Sequence, residues 1–85
     1  MGKLEIGTVT NDLIKFIKGN ILESGNDISP NMPFSEAGMD SMSIIEVVLF
    51  IERKYRVALP EGELTIDNLK SVETLAACTL KNINN

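Results

Sequence analysis

At 85 residues the chain has room for one small domain with a modest core, too little material to build an enzyme cleft as well. Twelve acidic residues against eight basic ones leave a net charge of -4, the wrong sign for gripping nucleic-acid phosphates. Histidine is absent and cysteine occurs once, at Cys78, which removes Ser-His and Cys-His catalytic pairs and any intramolecular disulfide.

The N-terminal Met1-Gly2-Lys3-Leu4-Glu5-Ile6 lacks the apolar stretch of a signal peptide, and no window approaches the ~18 apolar residues of a membrane span. Ile6 stands where a myristoylation motif would place Ser or Thr. The expectation is a soluble, cytoplasmic protein whose residues 1–85 form a single domain.

Helical periodicity dominates. A first helix is predicted from Thr8 to Glu23, with Leu13, Ile14, Ile17 and Ile21 at three- and four-residue steps and Val9 and Phe16 beside them. Ser24-Gly25-Asn26-Asp27 is its stop signal. The segment from Gly25 to Met39 contains Pro30 and Pro33, which prevent a regular element. Ile28, Met32 and Phe34 along it are expected to pin the loop to the bundle.

A second helix is predicted from Ser41 to Tyr55, with Asp40 as its N-cap. Met42, Ile45, Val48, Leu49 and Tyr55 form one candidate buried face. Ile44, Val47, Phe50 and Ile51 extend the apolar surface well around the helix. So apolar a helix is either central or partly exposed for a partner, and Met42, Ile44, Val47 and Ile51 are the residues expected to face one. Val57-Ala58-Leu59-Pro60 is an extended connector. A short third helix is predicted over Thr65–Leu69, capped by Thr65. Ser71 then caps a last helix from Val72 to Ile83, with Val72, Leu75, Ala76, Thr79, Leu80 and Ile83 on its buried stripe. The tail Asn84-Asn85 is expected to fray. The fold class is therefore all-α, a small four-helix bundle of three main helices and one short one.

The informative stretch is Phe34-Ser35-Glu36-Ala37-Gly38-Met39-Asp40-Ser41-Met42, where the long loop enters the most apolar helix. A phosphate ester on Ser41 would lie near free amides and the positive end of the helix dipole. Gly38 would allow another chain's backbone to come close. With no histidine to activate it, Ser41 is an acceptor for another enzyme's chemistry rather than a nucleophile in its own right.

This stretch resembles the attachment site of acyl and peptidyl carrier proteins. Phe34, Gly38, Asp40, Ser41 and Met42 match that pattern in order and spacing, and Glu46 falls where the following helix usually carries an acid. Leu59-Pro60 and Leu69-Lys70-Ser71-Val72-Glu73-Thr74-Leu75 are similar to later parts of the same family, so the resemblance covers nearly the whole chain. It implies an acyl-carrier-like bundle that is not itself a catalyst. A phosphopantetheinyl transferase would use coenzyme A and magnesium to attach 4'-phosphopantetheine to Ser41, with Gly38, Asp40 and Met42 around the arm. Cargo would travel as a thioester. Met42, Ile44, Glu46, Val47 and Ile51 would meet the partners: the transferase, an acyl- or aminoacyl-loading ligase, and condensing or transfer enzymes. A monomer without nucleic-acid or membrane partners is implied.

The resemblance leaves the cargo open. One reading is a free-standing acyl carrier for fatty-acid, polyketide or specialised-metabolite synthesis. The alternative is an aminoacyl or peptidyl carrier of a nonribosomal-peptide or D-alanylation type of pathway. Ser43 stands where fatty-acid carriers often have an acid, Arg53, Lys54 and Arg56 crowd the helix end, and Ser71-Val72-Glu73-Thr74-Leu75 is similar to carriers of amino acids or specialised products. A third reading is a carrier-like interaction module without a prosthetic group. Cys78 reads as a buried structural thiol, Met39 as core and Met42 as an adaptable contact surface.

Overall fold

The computed structural model describes residues 4–22 and 27–83. Three α-helices form the bundle: α1 (Ile6–Asn20), α2 (Ser41–Tyr55) and α3 (Val72–Ile83). The first begins two residues before Thr8 and its last helical residue is Asn20. Ile21 and Leu22, predicted to continue the helix, instead form a turn in which both amides donate to the Ile17 carbonyl at 2.9 Å. Glu23, the stop signal Ser24-Gly25-Asn26 and the tail Asn84-Asn85 lie outside the described residues.

The core is built where the helical stripes meet. Helix α1 contributes Val9, Leu13 and Ile17, spaced by four residues, and packs against both α3 and α2. Helix α3 contributes Val72, Leu75, Ala76, Cys78 and Thr79, whereas Leu80 and Ile83 are only half-buried. The Thr79 hydroxyl is completely buried and satisfies itself by donating to the Leu75 carbonyl at 2.8 Å. Burial first, and the nearby Glu63 carboxylate second, push the Cys78 thiol up, so it stays neutral and packs as a small apolar side chain.

Helix α2 turns a different face inward than its composition suggests. Val47, Val48 and Ile51 are its buried residues. Met42, Ile45 and Leu49, read from the sequence as part of the buried face, are 69%, 49% and 50% exposed. Val47 and Ile51, expected to face a partner, are instead completely buried. The physical reason is that a helix apolar on every side has no amphipathic stripe to fix its rotation. Its rotation is set by what fits α1 and α3. The side chains of Phe16 and Phe50 stack with ring centroids 4.2 Å apart along the α1–α2 seam.

The loop before α2 is anchored by its own side chains and by the start of α3. Ile28 and Phe34 are buried and Met32 is half-buried. The Phe34 amide donates to the Lys70 carbonyl at 2.8 Å, and Pro33 and Ser71 form an isolated antiparallel bridge. The Glu73 amide, one of the donors a helix start leaves without an internal acceptor, is satisfied by the Pro30 carbonyl at 2.8 Å. Ser71 caps α3 as expected, accepting from the Thr74 amide at 3.3 Å.

The connector from α2 to α3 differs in detail from the expectation. Its helical turn is a 3-10 helix at Glu61–Glu63, ahead of the predicted Thr65–Leu69 helix. Residues 66–69 form a hydrogen-bonded turn in which Thr65 Oγ1 still acts as the cap, accepting from the Asn68 amide at 3.1 Å. Pro60 has no amide proton and a fixed φ, so the helical start moves to the residue after it. The Leu59 amide is held by Glu52 Oε2 at 2.9 Å, which tucks the buried Leu59 beneath α2.

Candidate functional site

Ser41 is the first helical residue of α2 and is exposed. Its position follows from three local features. Phe34, 1% exposed, roots the preceding turn, and the Met39 amide returns to the Phe34 carbonyl at 3.0 Å. Gly38 sits at φ +81°, a left-handed conformation open to glycine at no steric cost, and reverses the chain so that Met39 points inward at 6% exposure. Asp40, in extended backbone, then starts the helix: its carboxylate accepts from the Ser43 amide at 2.9 Å, and its carbonyl accepts from the Ile44 amide at 3.1 Å.

The Ser43 amide, with the Ser43 hydroxyl second, holds the Asp40 carboxyl below its usual range. Asp40 is therefore an anion at neutral pH, committed to capping. Ser41 begins the helix, so its hydroxyl lies at the positive end of the helix dipole. A Cβ built on Gly38 would meet no heavy atom within 4 Å, so the flank of the turn is open to an approaching chain.

Around Ser41 the sequence-predicted residues separate into two groups. Gly38, Asp40 and Met42 lie at the turn with it. Glu46 is exposed one helical turn beyond, and Ile44 is half-buried at the edge of a groove. Val47 and Ile51 are in the core and cannot meet a partner. The outward apolar stripe is Met42, Ile45 and Leu49, spaced at three and four residues. Leu64, Ile66, Leu69 and Lys70 form the opposite wall of the groove. Nothing in their spacing marks them, because only the pairing of residues 33–34 with residues 70–71 brings that segment to Ser41.

An exposed hydroxyl at a helix N-terminus, capped by a neighbouring carboxylate and flanked by an open glycine turn, fits covalent attachment of an anionic phosphate ester. The phosphopantetheine attachment site family matches residues 12–79. The chain belongs to this family, whose members carry 4'-phosphopantetheine covalently and serve as carrier proteins.

Among known proteins, it is 36% identical over 70 residues to Aminoacyl carrier protein 1 of Bradyrhizobium diazoefficiens, covering 79% of this chain and 77% of that one. It is 28% identical over 57 residues to Aminoacyl carrier protein 2 of the same organism, covering 67% of this chain and 64% of that one. The fold matches the acyl carrier protein of Thermotoga maritima with a TM-score of 0.76 at 20% identity, over 99% of this chain and 96% of that one. It also matches a chain from the crystal structure of Bradyrhizobium japonicum glycine:[carrier protein] ligase complexed with glycylated carrier protein. There the TM-score is 0.67 at 32% identity, over 82% of this chain and 97% of that one.

Proposed function

We propose that this chain is an aminoacyl carrier protein, with 4'-phosphopantetheine on Ser41 and an amino acid as its cargo. The observation that carries the reading is the 36% identity to an aminoacyl carrier protein across 77% of that relative. The 32% identity to a chain from the glycine ligase complex supports the same substrate class.

Packing supports it independently. The space between the helices is filled by Leu13, Ile17, Val47, Ile51 and Leu75, all completely buried. A short aminoacyl group keeps its charged ammonium in water at no desolvation cost, whereas a long acyl chain would need room among these side chains.

Ser41 Oγ forms the phosphodiester bond, losing its proton to a base on the transferase as the P–O bond to the nucleotide half of coenzyme A breaks. The arm supplies a terminal thiol that holds the cargo as a thioester. Asp40 keeps the helix start fixed, and the new negative charge would sit at the positive end of the α2 dipole. The outward residues Met42, Ile45, Glu46 and Leu49 offer an apolar stripe with one acid to the transferase, the aminoacyl-loading ligase and the acceptor enzyme. Tethering raises the effective concentration of cargo at each docked enzyme. Residues 1–85 act as one cytoplasmic, monomeric carrier unit, and catalysis belongs to the partners.

Intact-mass spectrometry after incubation with coenzyme A, magnesium and a promiscuous transferase is expected to show one added arm. Ser41→Ala is expected to show none. Holo protein isolated from its own cells should carry an amino-acid mass. A fatty-acyl mass would overturn the cargo assignment and leave the carrier role standing, and an unmodified wild-type protein would overturn both.

A further inference from the structure

A groove of ≈ 720 Å³ opens beside Ser41. Ser41 and Ile44 of α2 form one side, and Leu64, Ile66, Leu69 and Lys70 form the other. The second wall is held in place by backbone bonds and by the Asn68 side chain. The Phe34 amide is tied to the Lys70 carbonyl at 2.8 Å, the Leu69 amide donates to the Thr65 carbonyl at 2.9 Å, and Asn68 Nδ2 donates to the Glu63 carbonyl at 2.7 Å. The turn so formed holds Ile66 out at the rim, 90% exposed.

The charges of the groove are unevenly engaged. Asp40, Asp67 and Lys70 line it, and the Asp40 carboxylate is occupied with the Ser43 amide. Lys70 is the one cation in the lining. Neither ion pair among the described residues, Lys18–Asp27 or Lys81–Glu63, involves it. Lys70 therefore lines the same groove as Ser41 with no described carboxylate within salt-bridge distance, although Asp67 shares the lining with it.

Attachment at Ser41, on which this inference rests, would place a phosphodiester anion at the mouth of the groove and then a pantoyl segment bearing two methyl groups. A cation followed by an apolar wall complements that order of chemistry. We infer that Lys70 pairs with the phosphodiester of the arm and that Ile66, with Leu64, covers the pantoyl methyls. The arm then rests along this groove between enzyme visits instead of sampling all directions. Lys70 is a positioning residue, since it holds the arm and does not touch the reacting thiol.

The test is ¹H–¹⁵N and methyl NMR of apo and holo protein, with intact mass recorded on each sample. Wild-type holo protein is expected to show shift changes at Leu64, Ile66 and Lys70 as well as around Ser41, with cross-peaks between Ile66 and pantoyl methyls. Lys70→Glu should still gain one arm by mass but lose the cross-peaks and the shifts at Ile66, whereas Lys70→Arg should keep them. Raising the salt to about 1 M, where the Debye length is about 3 Å, should weaken them in the wild type. Full arm attachment with shifts confined to residues 40–43, or unchanged Ile66 cross-peaks in Lys70→Glu, would overturn the inference and leave Ser41 as the carrier site. Absence of any mass gain in the wild type would instead overturn the attachment site itself, and the inference with it. Lys70 is exposed and only its carbonyl bonds to the Phe34 loop, so these side-chain changes spare the fold.

Discussion

The Tyr55 hydroxyl donates a 2.6 Å hydrogen bond to Asp12 Oδ2, joining the last residue of α2 to the middle of α1 across 43 positions of sequence. It pins the end of α2 farthest from Ser41, so the exposed serine sits at one end of a helix fastened at the other. Burial first, then the bond to Asp12 and its charge, raise the Tyr55 hydroxyl above its ordinary value near 10.

Tyr55→Phe is expected to destabilise the protein by about 1 kcal/mol, measured by urea unfolding near neutral pH. Because the folded-state pKa is raised, the tyrosine's contribution is fully present below about pH 10 and is lost as pH climbs through the higher folded value. The stability difference between wild type and Tyr55→Phe should therefore narrow only in strong alkali. A difference that narrows between pH 6 and 8 would contradict this assignment.

Rotation of α2 gives a second, sharply contrasted pair. Ile51→Ala opens a cavity in the core and should cost about 2–5 kcal/mol. Leu49→Ala, two residues earlier and 50% exposed, should change stability by no more than about 0.5 kcal/mol. Equal losses in thermal or urea unfolding would mean that the helix is turned otherwise.

Arg56 closes α2 at φ 52°, a left-handed conformation that strains a residue with a Cβ. Its amide donates to the Glu52 carbonyl there, so the conformation terminates the helix and sends the chain back toward Leu59. Arg56→Gly should stabilise by about 0.5–1 kcal/mol, the relief of strain exceeding the added freedom of the unfolded chain. A lower unfolding midpoint would show that the arginine side chain matters more than its backbone.

Asp40→Ala should lower the urea midpoint at neutral pH and weaken the start of α2, while Asp40→Asn, which can still accept from the Ser43 amide, should retain most of it. The Asp40 carboxyl lies below its ordinary value, so its stabilising effect is present above about pH 4 and disappears as pH falls through the folded value. Wild type and Asp40→Ala should converge in acid. A constant gap down to the lowest pH would separate the capping role from the charge.

The serine and its cap were legible in the sequence because they depend on neighbours in the chain. Asp40 meets the Ser43 amide three residues on, and Gly38 serves a turn only one residue before Met39. The same holds for Ser71 and Thr74 at the start of α3. The stripes of α1 and α3 could also be read, since each presents one dominant apolar face. In α2 the rule failed on Val47 and Ile51, because apolar residues surround that helix and periodicity selects no side.

By itself, then, the order of residues determined three helices, the N-terminal caps of α2 and α3 and the place of the serine, all set by contacts within a few positions of each other. Only the tertiary structure decided which side of α2 is sealed, and that Ile66 and Lys70 stand across a groove from Ser41. Those outcomes arise from packing and backbone pairing between segments about thirty residues apart, and their energies depend on a geometry no local pattern encodes.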